Sequence, residues 1–108
     1  MNRNDQIQKL TEPIHNRLSE LYGKRLRGIV LYGSRARQNA AVDSDLDLLV
    51  LLNGPVDLGK EITTIIDAIY PLQLEIDFPI HILPVDEDRF RAQEFGLYRA
   101  AKKEGMLV

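Results

Sequence analysis

Apolar residues recur at three- and four-residue steps early in the chain. Ile7, Leu10, Ile14, Leu18 and Leu21 fall on one side of a 3.6-residue repeat, which predicts an amphipathic helix from about Asn4 to Tyr22, closed by Gly23. Pro13 stands inside that span without a backbone N–H, so it predicts a kink or a start nearer position 12. The pattern then changes. Gly28-Ile29-Val30-Leu31-Tyr32 is short, β-branched and stopped by Gly33, and the apolar run Leu46 to Leu52 is stopped by Asn53-Gly54-Pro55; both predict buried strands. Ser34 to Asn39 predicts one or two helical turns behind a Ser N-cap. Asp57 is placed to cap a helix over about Leu58 to Tyr70, with Leu58, Ile62, Ile65, Ile66 and Ile69 on one face and Pro71 as its breaker. A third strand follows from Ile76 to Pro84, at an edge or a bulge because of Pro79. Two short helices are expected after it, at about Asp86 to Phe90 and Phe95 to Glu104, the last ended by Gly105 in the C′ position.

This mixture of helical and strand patterns places the chain in the α/β (α+β) class. At 108 residues it is expected to form one domain over positions 1–108, since a domain takes about 100 to 200 residues. The 44% hydrophobic content suffices for a core without staples. The absence of cysteine excludes disulfides, thiolate metal sites and a thiol nucleophile. The first residues lack the apolar core of a secretory leader, and Leu48 to Leu52, the longest apolar stretch, is far too short for a bilayer. A soluble, cytoplasmic chain with no membrane partner is therefore expected. Fourteen basic against 16 acidic residues give a net charge of −2, which supplies no general field for gripping a nucleic-acid backbone and disfavours nucleic acid as the main partner.

Two features between Gly33 and Val50 carry chemistry. Gly33-Ser34 sits at a strand-to-helix turn, where glycine lets backbone approach a ligand and unpaired N–H groups suit phosphate. Alone, such a pair is better explained by an ordinary turn with a Ser N-cap. The second feature is Asp45-Leu46-Asp47, in which strand alternation sends both aspartates to one face and Leu46, Leu48 and Val50 to the other. Asp47 lies inside an apolar run, and an ionised carboxylate buried there costs several kcal/mol unless a cation or several donors compensate it. Mg²⁺ prefers one or two carboxylates together with substrate phosphate oxygens. The competing account makes Asp45 a turn cap and pairs Asp47 with Arg35 or Arg37.

Gly33-Ser34, ten intervening residues and Asp45-x-Asp47 followed by Leu48-Leu49-Val50 together resemble the signature of the nucleotidyltransferase superfamily. Tyr32 to Arg37, Leu83 to Phe90 and the closing Lys103-Glu104-Gly105 resemble its smallest members, bacterial and archaeal proteins often paired with a helical HEPN-domain partner in toxin–antitoxin modules. The resemblance implies the nucleotidyltransferase fold, a small mixed or antiparallel sheet flanked by helices. It implies Gly33 and Ser34 on the terminal phosphates of ATP, Asp45 and Asp47 on Mg²⁺, and attack of an acceptor hydroxyl on the α-phosphate with release of pyrophosphate. Arg35 and Arg37 would neutralise the triphosphate, or else be solvated surface residues. The family commonly has a third carboxylate for metal binding and catalysis, for which Asp77 is taken ahead of Glu75. Counted back from Val85 to Phe90, that position falls on His81, which could instead be a neutral base, a metal ligand or a surface histidine. Gln38 stands where the family often has glycine.

The leading functional expectation is an enzyme that adenylylates a partner protein, a tyrosine of a HEPN toxin, and so acts as antitoxin. A second is an antitoxin that neutralises its partner by binding alone, with a weak or inactive site. Nucleic-acid end modification ranks last. Self-association is left open, as is whether Phe95, Leu97, Tyr98, Met106, Leu107 and Val108 are core or partner surface.

Overall fold

The computed structural model describes residues 3–36 and 44–108, without the side chains of residues 3–5. Helix α1 (Arg3–Tyr22) leads through a 3₁₀ turn (Gly23–Arg25) into strand β1 (Leu26–Tyr32). Strand β2 (Leu46–Leu52), helix α2 (Leu58–Gln73), strand β3 (Ile80–Asp86), helices α3 (Glu87–Arg91) and α4 (Gly96–Glu104), and the two-residue strand β4 (Met106–Leu107) follow.

β2 is apolar at every position but Asp47 because it is central and covered on both sides. The sheet order is β3-β2-β1-β4; β1 lies antiparallel to β2 and β4, and β3 lies parallel to β2. A parallel neighbour needs a crossover, which α2 supplies. The sheet is therefore mixed, one of the two arrangements expected. Leu46, Leu48, Val50 and Leu52 pack with Ile14 and Leu18 of α1 and Ile65 and Ile69 of α2. On the other face Leu49 and Leu51 pack with Val30, Val85, Phe90 and Ala101. No described helix is long and apolar enough to cross a membrane.

Several expectations need correction. α1 runs unbroken from Arg3 through Pro13, so the later start near position 12 does not occur. β1 begins two residues earlier than expected, at Leu26. Asp57 caps α2 as expected, accepting from the Lys60 backbone N–H, but Pro71 does not end that helix, which continues to Gln73. A proline in the final turn removes a single hydrogen bond, and the Leu74 N–H still reaches the Tyr70 carbonyl (3.2 Å). β3 starts after Pro79 rather than at Ile76 and continues past Pro84; it is an edge strand, where a missing N–H is tolerated. Gly105 follows α4, yet with φ −79 it is not a left-handed C′ residue. Its lack of a side chain matters for space, because a Cβ there would meet the Ala101 carbonyl and lie 2.7 Å from Val30 Cγ1. β4 is too short to leave a periodic signal. Of the C-terminal apolar residues, Phe95, Leu97 and Leu107 are exposed, while Tyr98, Met106 and Val108 are half-buried.

The buried face of α2 also differs from the expected stripe: Glu61 is buried and Ile66 is half exposed. Glu61 is tolerated inside because Arg25 meets its Oε2 at 2.6 Å and the Tyr22 hydroxyl donates to its Oε1 at 3.1 Å. Burial first, and the Glu61 hydrogen bond and charge next, push the Tyr22 phenol from 10.0 up to about 12. Folding thus favours the protonated phenol; that contribution is full below pH 10.0 and is lost as pH rises through about 12. Glu61→Ala is expected to destabilise the fold by about 2 kcal/mol, the usual cost of breaking a buried pair reduced for the one-third exposure of Arg25. Urea denaturation checks the loss, and ultraviolet titration should show the Tyr22 phenol lowered in the variant.

Candidate active site

Strand alternation sends Asp45 and Asp47 to the same face as Leu49 and Leu51. The register places Asp47 between Tyr32 of β1 and His81 of β3, in one row across three strands. In the next row Val30, Leu49 and Leu83 are apolar. The chemistry therefore sits where the apolar layer under α3 and α4 ends. Asp47 is half-buried and Asp45 exposed.

Gly33 closes this row. Its φ of +79° lies in the left-handed region, and a Cβ on it would stand 2.5 Å from Asp47 Oδ2. The turn backbone thus rests directly on the carboxylate, at a place and in a conformation open to glycine alone. The Ala36 N–H donates to the Gly33 carbonyl (3.1 Å), so Ser34 and Arg35 lie in a tight turn; the rest of the helical turns expected here, with Arg37, falls outside the described residues. Arg35 Nε and Nη2 both donate to the Ser44 carbonyl, at 2.9 and 2.7 Å, and its guanidinium lies 4.2 Å from the Phe78 ring centroid.

His81 Nε2 lies 2.9 Å from Asp45 Oδ2, with both side chains about half exposed. The structure thus brings Gly33, Asp45, Asp47 and His81 to one end of the sheet. Asp77 and Glu75 are exposed in the segment between α2 and β3, and among the described residues no three His, Asp or Glu side chains gather as a metal-holding cluster. In the sequence Tyr32 reads as a strand residue and as part of the Tyr32 to Arg37 resemblance, with no role of its own in the site. Its phenol is held above the ordinary value, by burial first and by the negative charge of Asp47 second; antiparallel register creates that contact, and residue spacing does not disclose it.

A family profile described as nucleotidyltransferase domain matches residues 12–105, which include the turn, both aspartates and all but the ends of the fold. The chain belongs to the nucleotidyltransferase family. Two solved structures share the nucleotidyltransferase fold. One is a Sulfolobus solfataricus protein assigned as a nucleotidyltransferase, at 20% identity and TM-score 0.61, covering 97% of this chain and 81% of that one. The other is a chain of a toxin–antitoxin complex with AMP-PNP, at 19% identity and TM-score 0.61, covering 89% of this nucleotidyltransferase and 70% of that chain. No curated protein gives a significant match.

Proposed function

We propose that this nucleotidyltransferase moves AMP from ATP to a hydroxyl of a partner protein, a tyrosine of a HEPN toxin, and so acts as the antitoxin of a pair. The observation that carries the transfer reading is the seating of left-handed Gly33 on the carboxylate of Asp47, which joins a phosphate-type turn to the Asp45 and Asp47 face. Fold similarity to a chain of a toxin–antitoxin complex with AMP-PNP supports the choice of partner and nucleotide.

Two carboxylates at a partly open strand end suit Mg²⁺, which binds through one or two carboxylates plus phosphate oxygens and needs no protein cage. Asp45 and Asp47 would hold it, and when bound it supplies charge neutralisation at the attacking and leaving oxygens. Backbone N–H groups of the Gly33-Ser34 turn would cradle the terminal phosphates, with Arg35 and Arg37 the nearest cations in sequence. The acceptor hydroxyl releases its proton to solvent at the open strand end and its oxygen bonds to the α-phosphorus, as the bond from the α-phosphorus to the α–β bridging oxygen breaks and pyrophosphate leaves in line. Positioning does most of the work in such a displacement.

The third role has two candidates. Asp77 is the carboxylate preferred from the sequence and lies in the segment before β3, whereas His81 pairs with Asp47 in the β2–β3 register and has its imidazole on Asp45. We favour His81 as the residue that orients Asp45. His81→Ala is then expected to lower transfer about 10- to 100-fold, as loss of a ligand-orienting partner does, with little change for Asp77→Asn. The opposite ranking in single-turnover assays returns the third role to Asp77.

Binding alone is the second reading, carried by a histidine where the family commonly has an acid. Neutralisation of the proposed partner toxin by Asp45→Asn and Asp47→Asn variants separates the two: the enzyme reading predicts loss of protection in cells, and full protection by both variants would establish binding alone.

A further inference from the structure

We infer that Arg35 is a positioning residue: it clips the Gly33-Ser34 turn to the start of β2 and so sets Asp45 in place. This inference rests on the transfer reading for its consequence, but its geometry is independent of it. Nε and Nη2 converge on one acceptor, the Ser44 carbonyl, immediately before Asp45. The guanidinium carbon lies over the Phe78 ring, 4.2 Å from its centroid. Next to Phe78, the Pro79 carbonyl accepts the Leu46 N–H (2.9 Å), on the other side of Asp45. Asp45 is therefore bracketed by two ties to its flanking main chain, one from the Arg35 side chain and one from the Pro79 carbonyl.

The platform under the guanidinium is itself held. Gln73, at the end of α2, donates from Nε2 to the Phe78 carbonyl (2.8 Å) and accepts the Ile80 N–H on Oε1 (2.8 Å). Three separate segments, residues 33–36, 44–46 and 78–80, thus converge on one cation, and the main chain at Phe78 is held by Gln73 independently of Arg35. A planar fork with two donors on one side and an aromatic face on the other is a guanidinium geometry; an ammonium can supply charge but neither the fork nor the stacking. Strand starts are where local opening is least costly, and a carboxylate at such a start holds a ligand well only when its backbone is pinned.

The test compares wild type with Arg35→Lys, Arg35→Ala, Phe78→Ala and the Arg35→Lys/Phe78→Ala double variant. Thermal melts followed by circular dichroism first establish that each is folded, and Arg35→Lys is the variant least able to disturb the fold. Amide exchange over residues 44–47 is read without nucleotide, ATP affinity by calorimetry with Mg²⁺, and transfer with labelled ATP. The clip predicts faster exchange at 44–47 in each single variant and less than additive change in the double one, as for residues acting as a unit. It also predicts a fall of about 10²-fold in kcat for Arg35→Lys with the KM for ATP little changed, as for a misplaced catalytic group. Unchanged exchange at 44–47 together with weakened ATP binding in Arg35→Lys would overturn the clip and make Arg35 a triphosphate ligand. A wild-type chain that transfers no label counts against the transfer reading alone, and the exchange comparison then decides the clip.

Discussion

Asp47→Asn should abolish nucleotidyl transfer while the chain stays folded. Asp47 is half-buried in the middle of a sheet row, flanked by Tyr32 and His81, so amide for carboxylate changes charge and not volume. Loss of the carboxylate removes the anion that would face the cation of the triphosphate, an effect of several kcal/mol at the transition state and about 10³-fold or more in rate. Stability should remain within about 1 kcal/mol of wild type, as no buried partner among the described residues is left with an unpaired charge. A second readout reports the geometry without any assay of transfer. The negative charge of Asp47 is the second cause holding the Tyr32 phenol up, so Asp47→Asn should lower that phenol toward its ordinary value, with the part due to burial retained. Retained transfer would remove Asp47 from the proposed reaction, and an unmoved Tyr32 phenol would place it elsewhere than the row described.

Gly33→Ala is expected to be the second most damaging change, for two separate reasons. The φ of +79° costs an L-residue about 1 to 3 kcal/mol. The new methyl would also stand 2.5 Å from Asp47 Oδ2, closer than any real contact, so the turn or the carboxylate must move. Because the proposed reaction uses both the turn and Asp47, a shift of about 1 Å should lower transfer on the order of 10²-fold beyond the stability loss. Gly59→Ala provides the control: Gly59 lies in the first turn of α2 with nothing within 4 Å of a Cβ, and alanine there should leave transfer unchanged and add up to about 1 kcal/mol of stability. Equal behaviour of the two variants in chemical denaturation and label transfer would remove the special role of Gly33.

Much of this architecture was legible in residue pattern. β2 matched its expected limits because an apolar run bounded by Asn53-Gly54-Pro55 has few other uses, and α1 was evident from its repeat. The aspartates stood out since a carboxylate inside an apolar strand needs a reason. What stayed hidden was set by partners distant in sequence. Glu61 lies inside because Arg25 and Tyr22 meet it there, and no periodicity of α2 carries that information. The same holds for the Ser44 carbonyl as the acceptor of Arg35, because a main-chain partner has no residue type to read. His81 could be counted to the third position, but only the β2–β3 register showed it opposite Asp47.

The most direct test of the account follows the two ends of the triphosphate in parallel. The purified chain and the HEPN-domain neighbour proposed as its partner are incubated with Mg²⁺ and ATP labelled at either the α- or the γ-phosphate. Transfer as described places the α-label on the neighbour and releases the γ-label as pyrophosphate, with both effects absent in Asp47→Asn. Label from the γ-phosphate on the neighbour, or no α-label on it while the two proteins form a stable complex, would contradict nucleotidyl transfer to that partner.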